Sequence, residues 1–320
     1  MLSSPSSTDA ALTLRGVTRR HRRSGPDVLA GCTFSLPAGA VCALVGPNGA
    51  GKTTLLELAA GLQRPTTGEV EVFGGPAAAG HPRVAYLAQD RPLHPRLTVA
   101  QTLRYGARAN PAGWDAELAA RAGTGRFRRR DRIRDLSGGQ RTRIALALAL
   151  GKGADLLLLD EPMADLDPLA RQELMGVLLA HAAETGATVV MSSHIVSELA
   201  DACDHLLLLD AGRARLAGGI DDLLSAHAVV TVPGGTDPLA GHTVVETRPA
   251  GRGTSALVRP AGPLPAGWEV RTPSLEELVL AHLALPTAPD GRPAVPDLTL
   301  TPQPDVTLRK DRPGSKEHAA

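Results

Sequence analysis

Lysine and aromatic residues are scarce in this sequence. Aromatic side chains make up only 2% of it, so the core must be packed mainly from Leu, Val and Ala. The four lysines are outnumbered by thirty arginines, so arginine serves wherever a general positive charge suffices. A lysine in the interior of the sequence therefore invites a specific chemical explanation. The lysines are Lys52, Lys152, Lys310 and Lys316.

Cysteines, long apolar runs and net charge are also limited. Cys32, Cys42 and Cys203 form no C-x-x-C pair, and we expect small buried residues that fit a reducing cytoplasm. No apolar run approaches the roughly 18–20 residues that span a bilayer, and the N-terminus lacks the basic start and apolar core of a secretory signal. The net charge of +1 gives no overall attraction to nucleic acid. These features predict a protein with no transmembrane segment of its own, which contacts a membrane only through a partner.

Short apolar runs and helical patterns alternate along most of the chain. Val41–Val45 is apolar throughout, which is typical of a strand buried on both faces of a parallel sheet. A Gly-rich turn and a helix at Lys52–Leu62 follow it, and further buried strands are predicted at Asp155–Leu159, Ala187–Met191 and Leu206–Leu209. This alternation predicts an α/β fold with a mostly parallel sheet.

Changes in composition divide the chain into segments. Residues 1–10 are rich in Ser and polar side chains and predict a flexible leader. The α/β pattern occupies residues 11–219, with a small helical insertion at about 90–136. Strand-like segments separated by Pro and Gly predict a small β-rich C-terminal appendage at 220–285. The Pro-rich residues 286–320 are predicted to form a disordered tail.

A glycine-rich motif lies between the strand Val41–Val45 and the following helix. Its spacing, G-x-x-x-x-G-K-T, lets main-chain N–H groups surround phosphate oxygens without obstruction by Cβ atoms. Lys52 is expected to reach the β- and γ-phosphates and the Thr53 hydroxyl to ligate Mg²⁺, while the helix dipole adds attraction. We therefore predict a phosphate-loop ATPase core that binds ATP and Mg²⁺. The predicted binding residues are Gly46, Pro47, Asn48, Gly49, Ala50, Gly51, Lys52, Thr53 and Thr54.

Two acidic residues follow another buried strand. Asp160 and Glu161 come directly after Leu156–Leu159, at the C-terminal end of the strand, where open α/β sheets bind their ligands. Asp160 is placed to hold Mg²⁺, directly or through water. Glu161 is placed to polarise the attacking water as a general base. The alternative is an acidic strand end that merely faces solvent, which the nearby phosphate-loop motif disfavours.

A glycine-containing pentapeptide begins a predicted helix later in the chain. A serine hydroxyl, two glycines that allow close approach and a helix N-terminus suit a γ-phosphate. This pentapeptide is the signature of the ABC ATPase family, which the chain resembles from about Leu12 to Leu224. The resemblance implies that the loop completes the ATP site of the opposite subunit in a dimer. Its residues are Leu136, Ser137, Gly138, Gly139 and Gln140.

The resemblance to ABC ATPases extends to single residues elsewhere. Gln89 occupies the position of the glutamine that senses Mg²⁺ and the attacking water, and His194 that of the switch histidine that contacts the γ-phosphate. Asp167 matches the loop that crosses the dimer interface, and Asp165 stands in that loop where a small residue is common. His21 takes the place of the aromatic residue that stacks on adenine.

The resemblance also implies a function. It is to the ATP-binding subunit of an ABC transporter, a homodimer or heterodimer that holds two ATP molecules and drives a separate membrane-spanning permease. Such a subunit works at the cytoplasmic face of the cell membrane. The C-terminal appendage, closing with a helix at Ser274–Leu285, resembles that of ABC-2 type exporter ATPases, so export is the expected direction. The sequence does not identify the cargo.

Soluble ABC ATPases that act on ribosomes or nucleic acid are the alternative class. The ribosome-associated proteins carry two cassettes in one chain, whereas this chain has one. The DNA-repair and chromosome ATPases are interrupted by long coiled coils or zinc modules, and neither heptads nor cysteine clusters occur here. The basic run Arg126–Arg134 carries no recognised nucleic-acid motif, and we interpret it as a solvated face or a contact with the partner. No nucleic-acid partner is expected.

Overall fold

Strands and helices alternate through most of the chain. The computed structural model describes residues 10–22, 25–123, 128–233, 239–251 and 253–285, together with the main chain of 298–299. In chain order, its strands are β1 (Ala10–Arg20), β2 (Asp27–Pro37), β3 (Val41–Val45), β4 (Thr67–Val72), β5 (Gly75–Pro76), β6 (Val84–Leu87), β7 (Leu156–Leu159), β8 (Thr188–Ser193), β9 (His205–Asp210), β10 (Arg213–Gly219), β11 (Ala228–Pro233), β12 (Thr243–Ala250), β13 (Gly253–Arg259), β14 (Glu269–Arg271) and β15 (Leu298–Thr299). The α-helices are α1 (Lys52–Ala59), α2 (Val99–Ala109), α3 (Ala116–Ala122), α4 (Gly138–Gly151), α5 (Pro168–Thr185), α6 (Ile220–Ser225) and α7 (Leu275–Ala284), and short 3₁₀ helices lie at Ile133–Asp135 and Val196–Glu198.

The central sheet orders its seven described strands as β15-β10-β9-β3-β8-β7-β6. All neighbouring strands in it are parallel except β9 and β10. Val41, Ala43 and Val45 of β3 pack into one apolar cluster with α4 and α5, whereas Cys42 and Leu44 pack into another with α1, β1 and β2. This two-sided burial explains why β3 is apolar throughout. The predicted α/β fold with a mostly parallel sheet is confirmed, and a separate antiparallel sheet of order β2-β1-β4-β5 accompanies it.

The C-terminal ends of β3, β8 and β7 lie side by side at one edge of the central sheet. In the parallel register, Val45 pairs with Ser193 of β8, and Leu159 pairs with Met191. Because the strands run in the same direction, the residues that follow them meet at this edge. The glycine-rich loop follows β3, the acidic pair follows β7, and His194 follows β8.

Two helices, α2 and α3, occupy the segment predicted as a helical insertion. α2 begins with a capping box, in which Thr98 Oγ1 accepts from the N–H of Gln101 at 3.2 Å and Gln101 Oε1 accepts from the N–H of Thr98 at 2.9 Å. The first two residues of the basic run, 126–127, lie outside the described part of the chain, and Arg128–Arg130 are exposed. The limits of about 90–136 for the insertion stay a prediction.

Two helices differ from the sequence-based expectation, one because it was not predicted and one because it is shorter. The sequence analysis did not predict α5, although Asp167 caps its start and Gly186 ends it in a left-handed conformation with φ 71°. The helix predicted at Lys52–Leu62 is shorter than expected. It ends at Ala59, and Gly61 beyond it is left-handed with φ 70°.

The C-terminal segment forms an antiparallel sheet of order β12-β13-β11-β14. Val230 and Val258 pack into a small cluster of this sheet, whereas Val245 and Leu257 join the main core together with α7. Side chains that alternate between two cores explain the alternating sequence pattern of these strands. In the predicted tail the structure describes only β15, which pairs in parallel with β10. The predicted leader lies outside the described residues except for Ala10, which begins β1, and the rest of the predicted tail also lies outside them. The proposed domain limits stay predictions.

Two expectations from composition concern cysteines and membrane spans. Cys32 and Cys42 are buried and Cys203 is partly buried. Burial is the main cause that raises the pKa of Cys203 to about 12 and raises that of Cys42 as well, so both thiols stay protonated. Within the described ranges, none of the helices has the length and apolar character that crossing a bilayer requires.

Two buried histidines meet between α6 and α7. His227 and His282 are 3% and 2% exposed, and their Nε2 atoms are 3.4 Å apart. Nδ1 of His227 donates to the carbonyl of Leu223 at 2.7 Å. Burial, followed by unfavourable interactions with the neighbouring His227, Arg259 and Arg215, lowers the pKa of His282 from 6.5 to about 3. Burial also lowers the pKa of His227. Both rings are therefore neutral in the folded protein near neutral pH.

Acidification is expected to destabilise the protein through this pair. The unfolded chain protonates His282 near its ordinary pKa of 6.5, whereas the folded chain resists protonation down to about 3. Because the unfolded state binds more protons, the free energy of unfolding falls below pH 6.5 by up to about 1.4 kcal/mol per pH unit for one such histidine. Urea denaturation at about pH 7.5 and about pH 5.5 should show a larger loss for the wild type than for His282→Leu. Equal losses in the two proteins would contradict this account.

Candidate functional site

The glycine-rich loop joins β3 to α1 with two glycines held against neighbouring backbone. A Cβ atom on Gly46 would lie 2.0 Å from the carbonyl oxygen of Leu209 on β9. Gly51 precedes the helix with φ 103°, and a Cβ there would lie 2.8 Å from the carbonyl oxygen of Val28. Any side chain at these positions would displace the loop. The G-x-x-x-x-G spacing therefore follows from how tightly the loop packs between β2 and β9.

Lys52 is the first residue of α1 and is buried, with 7% of its surface exposed. Its Nζ donates to the carbonyls of Gly46 at 2.7 Å and Pro47 at 3.2 Å. Burial lowers the pKa of Lys52, while the nearby charges of Glu161 and Asp160 act in the opposite direction. The amino group is thus enclosed by the loop and faces the acidic pair that follows β7.

Asp160 is almost fully buried at the end of β7, with both carboxylate oxygens occupied. Thr53 Oγ1 donates to Oδ2 at 2.7 Å, and Ser192 Oγ donates to Oδ1 at 2.6 Å. The hydroxyl of Ser192 also accepts the N–H of Glu161 at 2.8 Å. Ser192 therefore fixes both acidic residues, because the parallel register of β7 and β8 places it beside them.

Glu161 and His194 form the second polar pair of this edge. Nδ1 of His194 lies 3.2 and 3.1 Å from the two carboxylate oxygens of Glu161. The side chain of Glu161 is 11% exposed and that of His194 is 50% exposed, so the pair spans from the interior to solvent. Glu161 adopts φ 48°, a left-handed conformation that costs about 1–2 kcal/mol for most residues. Contacts to the main chain of Glu161 must therefore hold this conformation.

Lys52, Asp160 and Glu161 line one open cleft of about 190 Å³, whereas Gly46, Ser192 and His194 are not part of its lining. A larger cleft of about 550 Å³ lies between α6, α7 and the segment after β8, and its charged lining residues are acidic. That lining would repel phosphate, whereas the smaller cleft combines a buried lysine with loop N–H groups and oxygen ligands. The smaller cleft is lined by Val28, Asn48, Gly49, Ala50, Gly51, Lys52, Thr53, Thr54, Gln89, Asp160 and Glu161.

Comparison with known proteins identifies the family of the chain. The sequence pattern of the family described as "ABC transporter" matches residues 29–164. The chain is 33% identical over 284 residues to the cobalamin import ATP-binding protein BtuD of Halobacterium salinarum, a match that covers 83% of this chain and 71% of BtuD. The chain belongs to the ABC transporter ATP-binding family.

Two further comparisons agree with the family. The chain is 36% identical over 216 residues to the molybdenum import ATP-binding protein ModC of Mycobacterium tuberculosis, a match that covers 60% of this chain. It spans only 57% of the length of ModC. A solved structure described as the ATP-binding subunit of an ABC transporter superposes with a TM-score of 0.61 at 28% identity, covering 67% of this chain and 92% of that chain. The ABC ATPase fold is thereby shown.

The ABC signature loop lies outside the cleft of its own chain. Ser137 caps α4, with its Oγ accepting the N–H of Gln140 at 3.3 Å and its own N–H donating to Gln140 Oε1 at 2.9 Å. Ser137 is exposed, and neither Gly138 nor Gly139 lines the cleft. In the described part of the chain, the signature residues are therefore separate from the phosphate loop. Their contact with nucleotide stays a prediction.

Two other predicted nucleotide residues also lie away from the cleft. Asp167 caps α5, with Oδ1 accepting the N–H of Ala170 at 2.9 Å. His21 is exposed in the bend after β1 and is absent from the cleft lining. The cap gives Asp167 a structural role in the single chain. Its place at a dimer interface and the stacking of His21 on adenine stay predictions.

Oxygen ligands suitable for Mg²⁺ meet in the cleft. The Thr53 hydroxyl and the Asp160 carboxylate are in contact at 2.7 Å, and Gln89 lines the same cleft. No group of three or more His, Cys, Asp and Glu residues suited to a metal occurs among the described residues. A site with few protein oxygens suits Mg²⁺, because this ion keeps several waters and binds to one or two carboxylates together with substrate phosphates. These three residues therefore fit the metal predicted from the sequence.

Three residues of the site were missed by the sequence analysis. Ser192 lies in the Met-Ser-Ser-His segment, and its polar side chain at the end of a buried strand was an available signal. Val28 lines the cleft from β2, but nothing in its sequence context marks it. Arg91 donates to the carbonyl of Glu161 at 2.5 Å, and no motif indicated this contact.

Proposed function

We propose that this chain is the ATP-binding and ATP-hydrolysing subunit of an ABC transporter and powers transport through a separate membrane-spanning permease. One observation carries the proposal. A single cleft brings the phosphate loop with Lys52 together with the Thr53–Asp160 pair and Glu161, which contacts His194. These are the groups that phosphoryl transfer to water requires: a phosphate clamp, metal ligands and a base.

Each side chain has a separate task in this proposal. Lys52 and the loop N–H groups bind the β- and γ-phosphates of ATP. Thr53, Asp160 and Gln89 would hold Mg²⁺, which would neutralise phosphate charge. Glu161 orients the attacking water and accepts its proton, and His194 steadies the carboxylate of Glu161 and contacts the γ-phosphate. An ATPase assay with and without Mg²⁺ tests this division, and a chain that binds ATP without cleaving it would overturn the proposed hydrolysis.

We further propose that two chains share each ATP. The proposal is supported by the exposed signature loop, because Ser137 is exposed at the N-terminus of α4 and lies outside the cleft of its own chain. In a head-to-tail dimer, Ser137 of one chain would face the γ-phosphate held by Lys52 of the other. Gly138, Gly139, Gln140 and Asp167 would contribute to the same interface.

Specific ATPase activity is therefore expected to rise with protein concentration. At low protein concentration most chains are monomers, and each ATP site lacks the residues of the second chain. Activity per chain should therefore increase with concentration until nearly all chains are dimeric. Steady-state ATPase assays from nanomolar to micromolar protein measure this directly, with size-exclusion chromatography to follow the dimer. Activity per chain that is constant while the monomer predominates would exclude the shared site.

The direction of transport is proposed from the C-terminal segment. This segment, a β-rich unit closed by α7, resembles that of ABC-2 type exporter ATPases and supports export. The relatives ModC and BtuD bear import names and argue for the opposite direction. We propose export, and the test is transport by the purified complex in vesicles of known orientation. ATP-dependent movement of cargo from the side opposite the ATPase towards it would overturn export.

The partner and place of action follow from the same proposal. The chain would bind the permease at the cytoplasmic face of the cell membrane through the segment containing α2 and α3. Pull-down of the full chain from detergent-solubilised membranes should recover a multi-spanning membrane protein. Recovery of ribosomes or nucleic acid instead would favour the soluble class of ABC ATPases.

A further inference from the structure

Arg91 connects two segments of the site through its buried guanidinium. It follows β6 in a left-handed conformation with φ 44°, and its side chain is 8% exposed. Nη1 donates to the carbonyl of Gln89, and Nη2 donates to the carbonyl of Glu161 at 2.5 Å. The second contact joins residues that are 70 positions apart in the sequence. Arg91 therefore links the Gln89 segment to the main chain of the acidic pair.

The contact between Arg91 and Glu161 involves a residue with an unfavourable backbone conformation. Glu161 is left-handed with φ 48°, which is uncommon for a residue other than Gly, Asn or Asp. Its N–H is held by Ser192 and its carbonyl by Arg91, so both peptide groups around this residue are fixed by side chains. The direction of the carboxylate depends on this backbone conformation, because the half-exposed His194 is its one hydrogen-bond partner among the described residues.

Asp165 extends the connection to the signature helix. Its Oδ2 lies 3.7 Å from Arg91 Nε and accepts from Thr142 Oγ1 on α4 at 3.2 Å. Arg91 Nε is buried and has no hydrogen-bond partner among the described residues. A Cβ atom on Gly139 would lie 2.8 Å from the carbonyl oxygen of Asp165, so the loop packs directly on the start of α4. A small residue at position 165 would lack the carboxylate that bridges Arg91 and Thr142.

We propose that Arg91 is a positioning residue for Glu161, and that Asp165 and Thr142 tie it to the signature helix of the same chain. This inference rests on the proposed ATPase function. Glu161 acts in the cleft of its own chain, whereas the signature loop of that chain serves the ATP of the second chain. A fixed connection between them would make Glu161 of one ATP site and the signature loop that contacts the other ATP move together.

The test of Arg91 is a separation of turnover from binding. Arg91→Ala is expected to lower kcat by about 10- to 100-fold, because the carboxylate of Glu161 loses its orientation. KM for ATP and the Kd for a fluorescent ATP analogue should stay within about twofold, because Lys52 and the phosphate loop are unchanged. Arg91→Lys keeps a cation that reaches one carbonyl and should restore part of kcat. A merely structural role would lower thermal stability without this selective loss of kcat or the partial rescue.

Arg83→Ala is the matched control. Arg83 pairs with Asp155 before β6 and β7 begin, at the opposite end of the two strands that Arg91 and Glu161 follow, and both partners are about half exposed. Its kcat should equal that of the wild type. If the wild type hydrolyses ATP and Arg91→Ala has the same kcat, the role of Arg91 is overturned but the proposed function stands. If the wild type does not hydrolyse ATP, the proposed function itself is overturned. If Arg91→Ala is unstable, Arg91→Gln keeps amide donors and provides the same comparison.

A double-mutant cycle tests the connection to the signature helix. Asp165→Ala and Thr142→Val should each lower kcat less than Arg91→Ala does. If Asp165 acts through Arg91, adding Asp165→Ala to Arg91→Ala should change kcat by less than about twofold. Fully multiplicative effects of the two substitutions would overturn the role of Asp165.

Discussion

Glu161→Gln is expected to reduce ATP turnover by about 10²- to 10⁴-fold, the range that a positioned general base contributes. The amide is nearly isosteric with the carboxylate but accepts no proton from water. The backbone contacts of Glu161 to Ser192 and Arg91 involve main-chain atoms and should persist in the variant. Binding of ATP should be retained, because Lys52 and Thr53 are unchanged. Size-exclusion chromatography with ATP should therefore show accumulated dimers that do not turn over.

Glu71→Gln is the control for this substitution. Glu71 is partly exposed on β4 and pairs with Arg15 at 2.7 Å in the separate antiparallel sheet. Its turnover should match the wild type, because a surface ion pair contributes little to stability. A Glu161→Gln variant that keeps wild-type turnover would show that another group accepts the proton. In that case His194, whose ring lies within 3.2 Å of the carboxylate oxygens, becomes the residue to test.

The phosphate loop was predictable because its chemistry is local in sequence. The strand Val41–Val45, the glycines and Lys52 are adjacent in the chain, and their spacing alone specifies a loop that encloses phosphate. The acidic pair was predictable for a related reason: a run of buried leucines ends at the edge of the sheet where Asp160 and Glu161 begin. These inferences need only the direction of a strand.

Contacts that depend on strand register or on long side chains were not predictable. Ser192 meets Asp160 only because β7 and β8 are neighbours in a particular register. Arg91 reaches Glu161 through two left-handed residues, which no sequence pattern of non-glycine residues indicates. His227 and His282 are 55 positions apart, and their pairing depends on how α7 packs against α6. Each of these contacts links segments distant in the chain and follows from tertiary packing.

Lys52→Ala is expected to weaken ATP binding by about a hundredfold or more, because it removes the buried cation that the phosphate loop encloses. Turnover should be lost with it. The chain should stay folded but lose about 1–3 kcal/mol of stability, since the substitution removes two hydrogen bonds, to the carbonyls of Gly46 and Pro47, of which the first is buried. Equilibrium binding of a fluorescent ATP analogue, together with circular dichroism, measures both expectations.

Lys152→Ala is the matched control for Lys52→Ala, because each lysine donates to two main-chain carbonyls but only Lys52 lines the cleft. Lys152 is partly buried after α4, and its Nζ donates to the carbonyls of His81 at 2.9 Å and Val84 at 2.5 Å, before and at the start of β6. Removing it leaves two partly buried carbonyls without this donor, so the free energy of unfolding should fall by about 1–3 kcal/mol, as for Lys52→Ala. ATP affinity should be unchanged, because these carbonyls lie at the opposite end of the sheet from the cleft. If Lys152→Ala weakened binding as much as Lys52→Ala, the loss would reflect general destabilisation, and the phosphate-binding role of Lys52 would fail.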